Sequence, residues 1–140
     1  MRASESLLDL AFVALDHAVD TVRHGDQLAP FALVEAEVGR DLARFVNGTL
    51  EASIAEARRY LWGRPDAIRA ALAYDGFITL DGTRYDAVFV EAQEAGQDSA
   101  IVLCQRYEPK RRRRAFRTIG NPGDAGDAGP LLGQNSRTAG

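Results

Sequence analysis

Two short stretches in the middle of the chain are apolar at every position. They are AVFV at residues 87–90 and IVLC at residues 101–104. A strand with one face in water alternates apolar and polar residues, so runs without a polar position indicate strands that are covered on both faces. Both runs fall within residues 74–108, where turn signals separate several strand-like segments. The pattern therefore predicts an antiparallel sheet that needs cover on both sides.

Hairpin signals divide the chain into strands. Asp81-Gly82 favours a type I′ turn, because both residues tolerate the positive φ angles that this turn requires. Gly39-Arg40 predicts a second hairpin earlier in the chain. The predicted strands cover residues 31–38, 41–46, 77–80, 83–92 and 99–107, with a short edge strand at 115–119.

Two segments have the periodicity of amphipathic helices. The first begins at Ser6, which forms a capping box with Asp9, and it ends before Gly25. The second spans residues 50–61 and ends before Gly63.

Residues 66–74 fit both helical and strand spacing, and their four alanines favour a helix. We predict a strand here, because a turn at Asp75-Gly76 would lead it directly into the strand at 77–80.

Together these elements predict an α+β fold in the order α-β-β-α-β-β-β-β, with two helices and an antiparallel sheet of five to six strands. Residues 1–120 are predicted to form a single domain. Residues 121–140 are rich in Gly, Ala and Asp, and their small apolar area predicts a disordered tail. The element order is similar to that of several small bacterial binding folds, including secretion-chaperone-like domains, profilin-like domains and immunity proteins of toxin systems. The likeness is one of element order alone, and a fold by itself does not fix a function.

The predicted sheet has more apolar surface than two helices on one side can cover. Three arrangements would complete the cover: helices on opposite faces, a sheet curled into a half-barrel, or two copies packed sheet to sheet. Because two-fold packing is common among soluble proteins, we expect a homodimer, or a module that offers this surface to another protein. The predicted partner face includes Phe89, Ile101 and Leu103.

The charge of the chain is unevenly distributed. The formal net charge is −3, but residues 1–109 hold 10 basic and 18 acidic residues, whereas residues 110–140 hold seven basic and two acidic residues. The acidic body repels phosphate backbones, so contact with a nucleic acid would fall to the C-terminal part alone.

The basic residues are concentrated in one run, KRRRR at residues 110–114. Clustered guanidinium groups bind phosphates with a salt-dependent affinity, and Tyr107 and Phe116 flank the run at positions that permit base stacking. Three interpretations stay open: contact with a nucleic acid or other polyanion, docking on an acidic protein surface, and no specific role. The contact residues would be Lys110, Arg111, Arg112, Arg113, Arg114 and Arg117, with Arg106 just before them.

The first predicted helix holds both histidines of the chain, His17 and His24, and Asp20 lies on the same stripe. Imidazole and carboxylate groups are ligands for zinc or iron, so these three residues are metal candidates. A solvated helix face is the simpler interpretation. The further ligand that a metal site needs would come from Glu35, Glu37 or Glu91.

Two strand carboxylates, Glu35 and Glu91, continue apolar strand faces. A carboxylate in this position can be an acid of raised pKa in a pocket. The same pattern also marks the point where a strand leaves the core, and the sequence places no base or nucleophile beside either residue.

The chain has no sequence motif for a nucleotide, a hydrolytic triad or a cysteine-bound metal. With no apolar run long enough for a membrane span and with Cys104 in an apolar strand, we expect a cytoplasmic protein without a cofactor. The leading hypothesis is a non-enzymatic interaction protein, of an adaptor, chaperone-like or immunity type, that binds protein partners through an apolar sheet face. The alternative is a regulator that binds nucleic acid or another polyanion through residues 110–117. A small metal-dependent enzyme is third.

Overall fold

The computed structural model describes residues 3–133 and places two helices and six strands along them. In chain order they are α1 (Glu5–Arg23), β1 (Phe31–Ala36), β2 (Gly39–Arg44), α2 (Leu50–Trp62), β3 (Arg69–Leu80), β4 (Thr83–Glu94), β5 (Ala100–Glu108) and β6 (Arg117–Ala128). The strands form one antiparallel sheet in the order β2-β1-β3-β4-β5-β6. The predicted α+β fold and its element order are confirmed. Neither helix within the described residues combines the length and the apolar character needed to cross a membrane.

The two helices lie on opposite faces of the sheet, so each face has a core of its own. Along β3, Ala71 and Ala73 belong to the core under α1, whereas Ala70 and Leu72 belong to the core under α2. Of the three arrangements considered from the sequence, helices on opposite faces is the observed one. The α1 core includes Leu10, Ala14, Ala18, Phe31, Leu33, Val88, Val90 and Leu103, and the α2 core includes Ala32, Val34, Phe45, Ala57, Leu61, Ala100, Leu131 and Leu132.

Helix α1 begins earlier than the capping pattern predicted. The hydroxyl of Ser4 accepts a hydrogen bond from the backbone N–H of Leu7 at 3.0 Å, which satisfies a donor that has no partner within the helix. Ser6 and Asp9 lie inside the helix and are exposed. The predicted capping box is therefore wrong, because a second serine two residues upstream supplies the cap.

The hairpin between β3 and β4 turns at Asp81-Gly82, as predicted. These residues have φ angles of 50° and 80°, and the flanking residues pair across the turn. The first hairpin differs: β1 pairs with β2 through Ala36 and Gly39, so the turn is at residues 37–38 and not at Gly39-Arg40.

Strand β3 is continuous, so the predicted turn at Asp75-Gly76 is wrong. Both residues pair in register with β4, and Gly76 lies opposite Ala87. Gly76 instead allows the ring of Phe89 to lie close to the β3 backbone, because a Cβ at this position would lie 3.1 Å from that ring. The segment at 66–74 thus contributes the start of one long strand, with β3 beginning at Arg69.

The chain after residue 120 continues into the sheet and the core. Residues 121–128 complete β6, and Leu131 and Leu132 are buried in the α2 core. The buried carboxamide of Gln93 accepts their backbone N–H groups at 2.6 and 2.9 Å. The predicted disordered tail is wrong for residues 121–133, because backbone bonds to β5 and two buried leucines supply what the Gly-rich composition lacks. Residues 134–140 of the predicted tail lie outside the described residues.

Candidate functional site

The long strands extend past both cores towards one end of the sheet. The apolar cores reach Ala73 and Tyr74 on β3, and the strand continues for residues 75–80 beyond them. The β5–β6 hairpin ends at the same side, because Asp86 of β4 pairs with Tyr107 of β5. Two hairpin tips therefore lie side by side, one at residues 81–82 and one at residues 111–114.

These tips collect most of the basic residues of the second half of the chain. We call this surface the basic end, and it consists of Arg84, Arg106, Lys110, Arg111, Arg112, Arg113, Arg114 and Arg117. Three carboxylates share the surface, namely Asp81, Asp86 and Glu108. Eight cations against three carboxylates leave a local positive excess on a chain whose formal net charge is −3.

The five cations at residues 110–114 are exposed and held on a tight turn. Arg111 and Arg114 exchange backbone hydrogen bonds of 2.9 and 3.1 Å, which fixes the backbone of the turn. Among residues 3–133, no carboxylate lies within ion-pair distance of any of the five side chains. Glu108 pairs with Arg117 instead, and this hydrogen bond lowers the pKa of Glu108. Arg114 and Arg111 lower the pKa of Glu108 further by charge attraction. The predicted basic run is thus a solvent-facing cluster whose nearby carboxylate, Glu108, forms its salt bridge with Arg117.

Three arginines lie over aromatic rings at or beside the basic end. The distances from guanidinium carbon to ring centroid are 3.7 Å for Arg84 over Phe77, 4.7 Å for Arg106 over Tyr85 and 5.1 Å for Arg23 over Phe116. The negative face of an aromatic ring attracts a cation at these distances. The strand register places the Arg84–Phe77 pair on the α1 side of the sheet and the Arg106–Tyr85 pair on the α2 side.

Phe77 is the most exposed of these three rings, at 57%. It lies on the α1 side of β3, where its directly opposed neighbour on β4 is Asp86. Neither Phe77 nor Arg84 belongs to a sequence motif. The Asp81-Gly82 turn is the signal that could have identified them, because it sets a hairpin register in which Arg84 pairs with Thr79. Arg84 then lies diagonally beside Phe77 on one face of the sheet.

Close to the basic end, Asp75 and Tyr107 form a half-buried pair. The hydroxyl of Tyr107 donates to Asp75 at 2.8 Å. Burial raises the pKa of both groups, and the hydrogen bond raises that of Tyr107 further while it opposes the rise at Asp75. Phe116 stacks on the Tyr107 ring at 5.6 Å between centroids. Tyr107 therefore stays protonated and connects β5 with β3 and with Phe116, the residue before β6, which is a structural role.

Glu91 lies at 3% exposure between the sheet and α2, and its carboxylate is fully engaged. Arg58 of α2 donates two hydrogen bonds of 2.8 Å to it, and the hydroxyl of Tyr74 donates a third at 2.5 Å. Burial alone would raise the pKa of Glu91, but the bonds from Arg58 and Tyr74 outweigh it and hold the pKa below the usual value. Glu91 is an ionised anchor for α2, not an acid of raised pKa.

Glu35 belongs to a row of alternating charges at the opposite end of the sheet. Arg40, Glu35, Arg69 and Glu94 are directly opposed on β2, β1, β3 and β4. We call this row the charge ladder. Its salt bridges measure 2.7, 2.9 and 3.0 Å. Burial would raise the pKa of Glu35, but the bonds from the two arginines lower it, so this carboxylate is also ionised.

The metal candidates on α1 are directed to different partners. Arg44 of β2 donates to Nε2 of His17 at 3.2 Å, and His17 meets the Phe31 ring edge-on. His24 donates through Nδ1 to the backbone carbonyl of Asp20 at 2.8 Å. Among residues 3–133, no group of three or more His, Cys, Asp or Glu side chains is arranged to hold a metal ion.

The predicted partner face is not one surface. Ile101 and Leu103 lie on the α1 side of β5, where Leu103 is buried and Ile101 packs against the core. Phe89 lies on the α2 side, where it stacks on Tyr74 at 5.7 Å between centroids. The prediction is wrong because a run that is apolar on both faces sends its side chains into two separate cores.

A shallow apolar cleft lies between the end of α2 and the last described residues. It has a volume of about 370 Å³, and Arg58, Arg59, Trp62, Pro130 and Leu131 line it. The chain's single tryptophan, Trp62, is 50% exposed there.

Comparison with known proteins identifies no relative of this chain: no family model, no curated protein and no solved structure shows a significant match.

Proposed function

We propose that this chain is a non-enzymatic binding protein that holds an anionic macromolecule against the basic end. The observation that carries the proposal is the cluster at residues 110–114, where five exposed cations lie on a fixed turn and, among the described residues, none of them has a carboxylate within ion-pair distance. Like charges placed this close repel one another. An external polyanion would relieve this repulsion and release its own counterions, which favours binding.

The state of the candidate acids supports a binding role over a catalytic one. Glu35 and Glu91 are ionised and paired with arginines, so neither is available to donate a proton at neutral pH. Tyr74 has a pKa raised by burial and by its bond to Glu91, so it also stays in one protonation state. These groups hold α2 and the strands together instead.

The position of the helices moves the binding surface away from the sheet faces. The leading hypothesis from the sequence required an apolar sheet face, but each face has a helix over its core. The proposal keeps the same class of function, the binding of a partner, but assigns the binding surface to the charged end of the sheet. The acidic remainder of the chain would keep a polyanion at that end and away from the rest of the surface.

Retention on immobilised heparin tests the proposal. We expect the wild-type protein to bind at about 50 mM NaCl, to elute at higher salt, and to do so despite its net charge of −3. The variant R111A/R112A/R113A/R114A should pass through the column. The matched control is Arg59→Ala, which removes an exposed arginine from α2 and should elute with the wild type. A wild-type protein that fails to bind at low salt would overturn the proposal.

A second candidate function is a protein–protein contact at the cleft beside Trp62. The specific observation in its favour is the half-exposed indole next to Pro130 and Leu131, since tryptophan is enriched in the centres of interfaces. A homodimer formed through this cleft would bury the indole. Light scattering coupled to size exclusion gives the mass. The emission of the single tryptophan should shift to shorter wavelength as the protein concentration rises and the dimer forms. A monomer with unchanged emission from about 1 to 100 μM, the range in which typical weak dimers form, removes this candidate.

A further inference from the structure

We infer that the polyanion bound at the basic end is a single-stranded nucleic acid, with phosphates on residues 110–114 and a base stacked on Phe77. The inference rests on the proposed function and adds the class of ligand. Phe77 leaves 57% of its surface in water although it lies on a strand of the sheet. An exposed ring with a guanidinium 3.7 Å from its centroid resembles the aromatic and arginine platforms on which bases stack.

The arrangement places the ring and the cations within the reach of one short strand of nucleotides. Phe77, Asp86 and Tyr107 are directly opposed on three neighbouring strands, and Glu108 continues β5 towards the turn at 111–114. Adjacent strands are about 4.8 Å apart, so Phe77 lies roughly 10 Å across the sheet from β5. Single-strand binding surfaces commonly contact about four or more nucleotides, which is ample for this separation.

The carboxylates of the basic end favour a single strand over a duplex. A duplex presents two phosphate backbones and hides its base faces, so Asp81 and Asp86 would repel it and Phe77 would gain nothing. A single strand exposes both the faces of its bases and their N–H groups. Asp86, opposite Phe77 on the same face, is placed to accept a hydrogen bond from a base that stacks on the ring.

The experiment is fluorescence anisotropy with three probes: a labelled single-stranded 15-mer, an abasic strand of the same length and charge, and the matching duplex. We expect the intact strand to bind about tenfold more tightly than the abasic strand, because stacking of a base on an aromatic ring contributes roughly 1–3 kcal/mol. Phe77→Ala should remove this difference and leave the affinity for the abasic strand unchanged. The control is Phe12→Ala, which removes a 42% exposed ring from α1 and should change neither affinity.

The arginine variants separate this inference from the proposed function. Replacing Arg112 and Arg113 by Ala should weaken the intact and the abasic strand by the same factor, since the phosphates are common to both. Equal binding of the intact strand, the abasic strand and the duplex would overturn the inference and leave the proposed polyanion function standing. Tighter binding of polyglutamate than of the intact strand would overturn it in favour of an acidic protein partner. Failure to bind heparin as well as all three probes would remove both.

Discussion

The two ends of the sheet hold arginines in opposite situations. In the charge ladder, Arg40 and Arg69 each face a glutamate on the neighbouring strand, and the charges alternate across four strands. At the basic end, residues 110–114 place five cations in a row, and among the described residues none of them has a carboxylate within ion-pair distance. The comparison shows that the number of arginines says little about their role. The position of the nearest carboxylate decides whether an arginine stabilises the fold or is open to an external anion.

The largest expected effect concerns Arg58, whose partner Glu91 is the most buried of the paired carboxylates among the described residues. Arg58→Leu leaves the buried carboxylate of Glu91 without its counter-charge, and we expect the free energy of unfolding to fall by about 3 kcal/mol. This value is at the low end for broken buried pairs, because Arg58 itself is 44% exposed and partly screened by water. Urea denaturation followed by circular dichroism measures the change.

The neighbouring residue supplies the control for this prediction. Arg59→Leu removes the same side chain one position further along α2, where it is exposed, and should change the unfolding free energy by less than about 0.5 kcal/mol. Equal losses in the two variants would mean that the Arg58–Glu91 pair contributes nothing beyond the general effect of removing an arginine from α2.

The next largest loss of stability is expected when one arginine is removed from the charge ladder, and the same substitution at the basic end provides a direct comparison. Arg69→Leu breaks the middle of the charge ladder and leaves Glu35 and Glu94 without their shared partner, so we expect a loss of about 1–2 kcal/mol. Arg113→Leu removes the same charge at the basic end and should leave the denaturation midpoint unchanged. If both variants lose stability equally, the distinction between paired and open arginines fails.

Local patterns in the sequence were sufficient for the elements and for one hairpin. Period and turn residues identified both helices, and Asp81-Gly82 set the β3–β4 register correctly. The same rules failed at Asp75-Gly76, because whether Gly76 turns or makes room depends on the Phe89 ring of another strand. They also failed after residue 120, where the partners of the Gly-rich segment are β5 and Gln93, far away in the chain.

The sequence predicted only the part of the site whose residues are adjacent in the chain. Consecutive cations at residues 110–114 can be read directly, and the structure leaves them together on one turn. The arginines over Phe77, Tyr85 and Phe116 come from different elements, so their meeting follows from strand register and from the end of α1. Which face of the sheet each helix covers is likewise a tertiary choice. The register of β4 on β5 pairs Phe89 with Cys104, and so it places Phe89 on the other face from Ile101 and Leu103 and removes the predicted partner face.

Acid should weaken the contribution of the paired carboxylate Glu91 to the unfolding free energy, with a smaller effect than the arginine substitutions. Because the folded-state pKa of Glu91 is below its ordinary value of 4.5, its contribution to stability is fully present above pH 4.5 and is lost as the pH falls through the lower, folded-state value. We therefore expect unfolding free energy to decline less steeply below pH 4.5 in Glu91→Gln than in the wild type. Urea titrations from pH 3 to 7 measure the two slopes. Parallel curves would show that Glu91 titrates alike in the folded and unfolded chain.

The smallest expected effect is the salt response of the basic end itself. Repulsion among the exposed cations at residues 110–114 weakens as salt screens them, within a Debye length of roughly 10 Å at 0.1 M. Raising NaCl from about 20 to 300 mM should therefore stabilise the wild type slightly relative to R111A/R112A/R113A/R114A, in which the repulsion is already absent.

Screening acts in the other direction on the charge ladder, whose attractive pairs it weakens, so the wild type should gain less stability from salt than Arg69→Leu. Urea denaturation is the suitable measurement, because guanidinium chloride would itself screen the charges. Identical salt responses in all three proteins would mean that neither end contributes electrostatic energy to the fold, and the basic end would then have no repulsion for a polyanion to relieve.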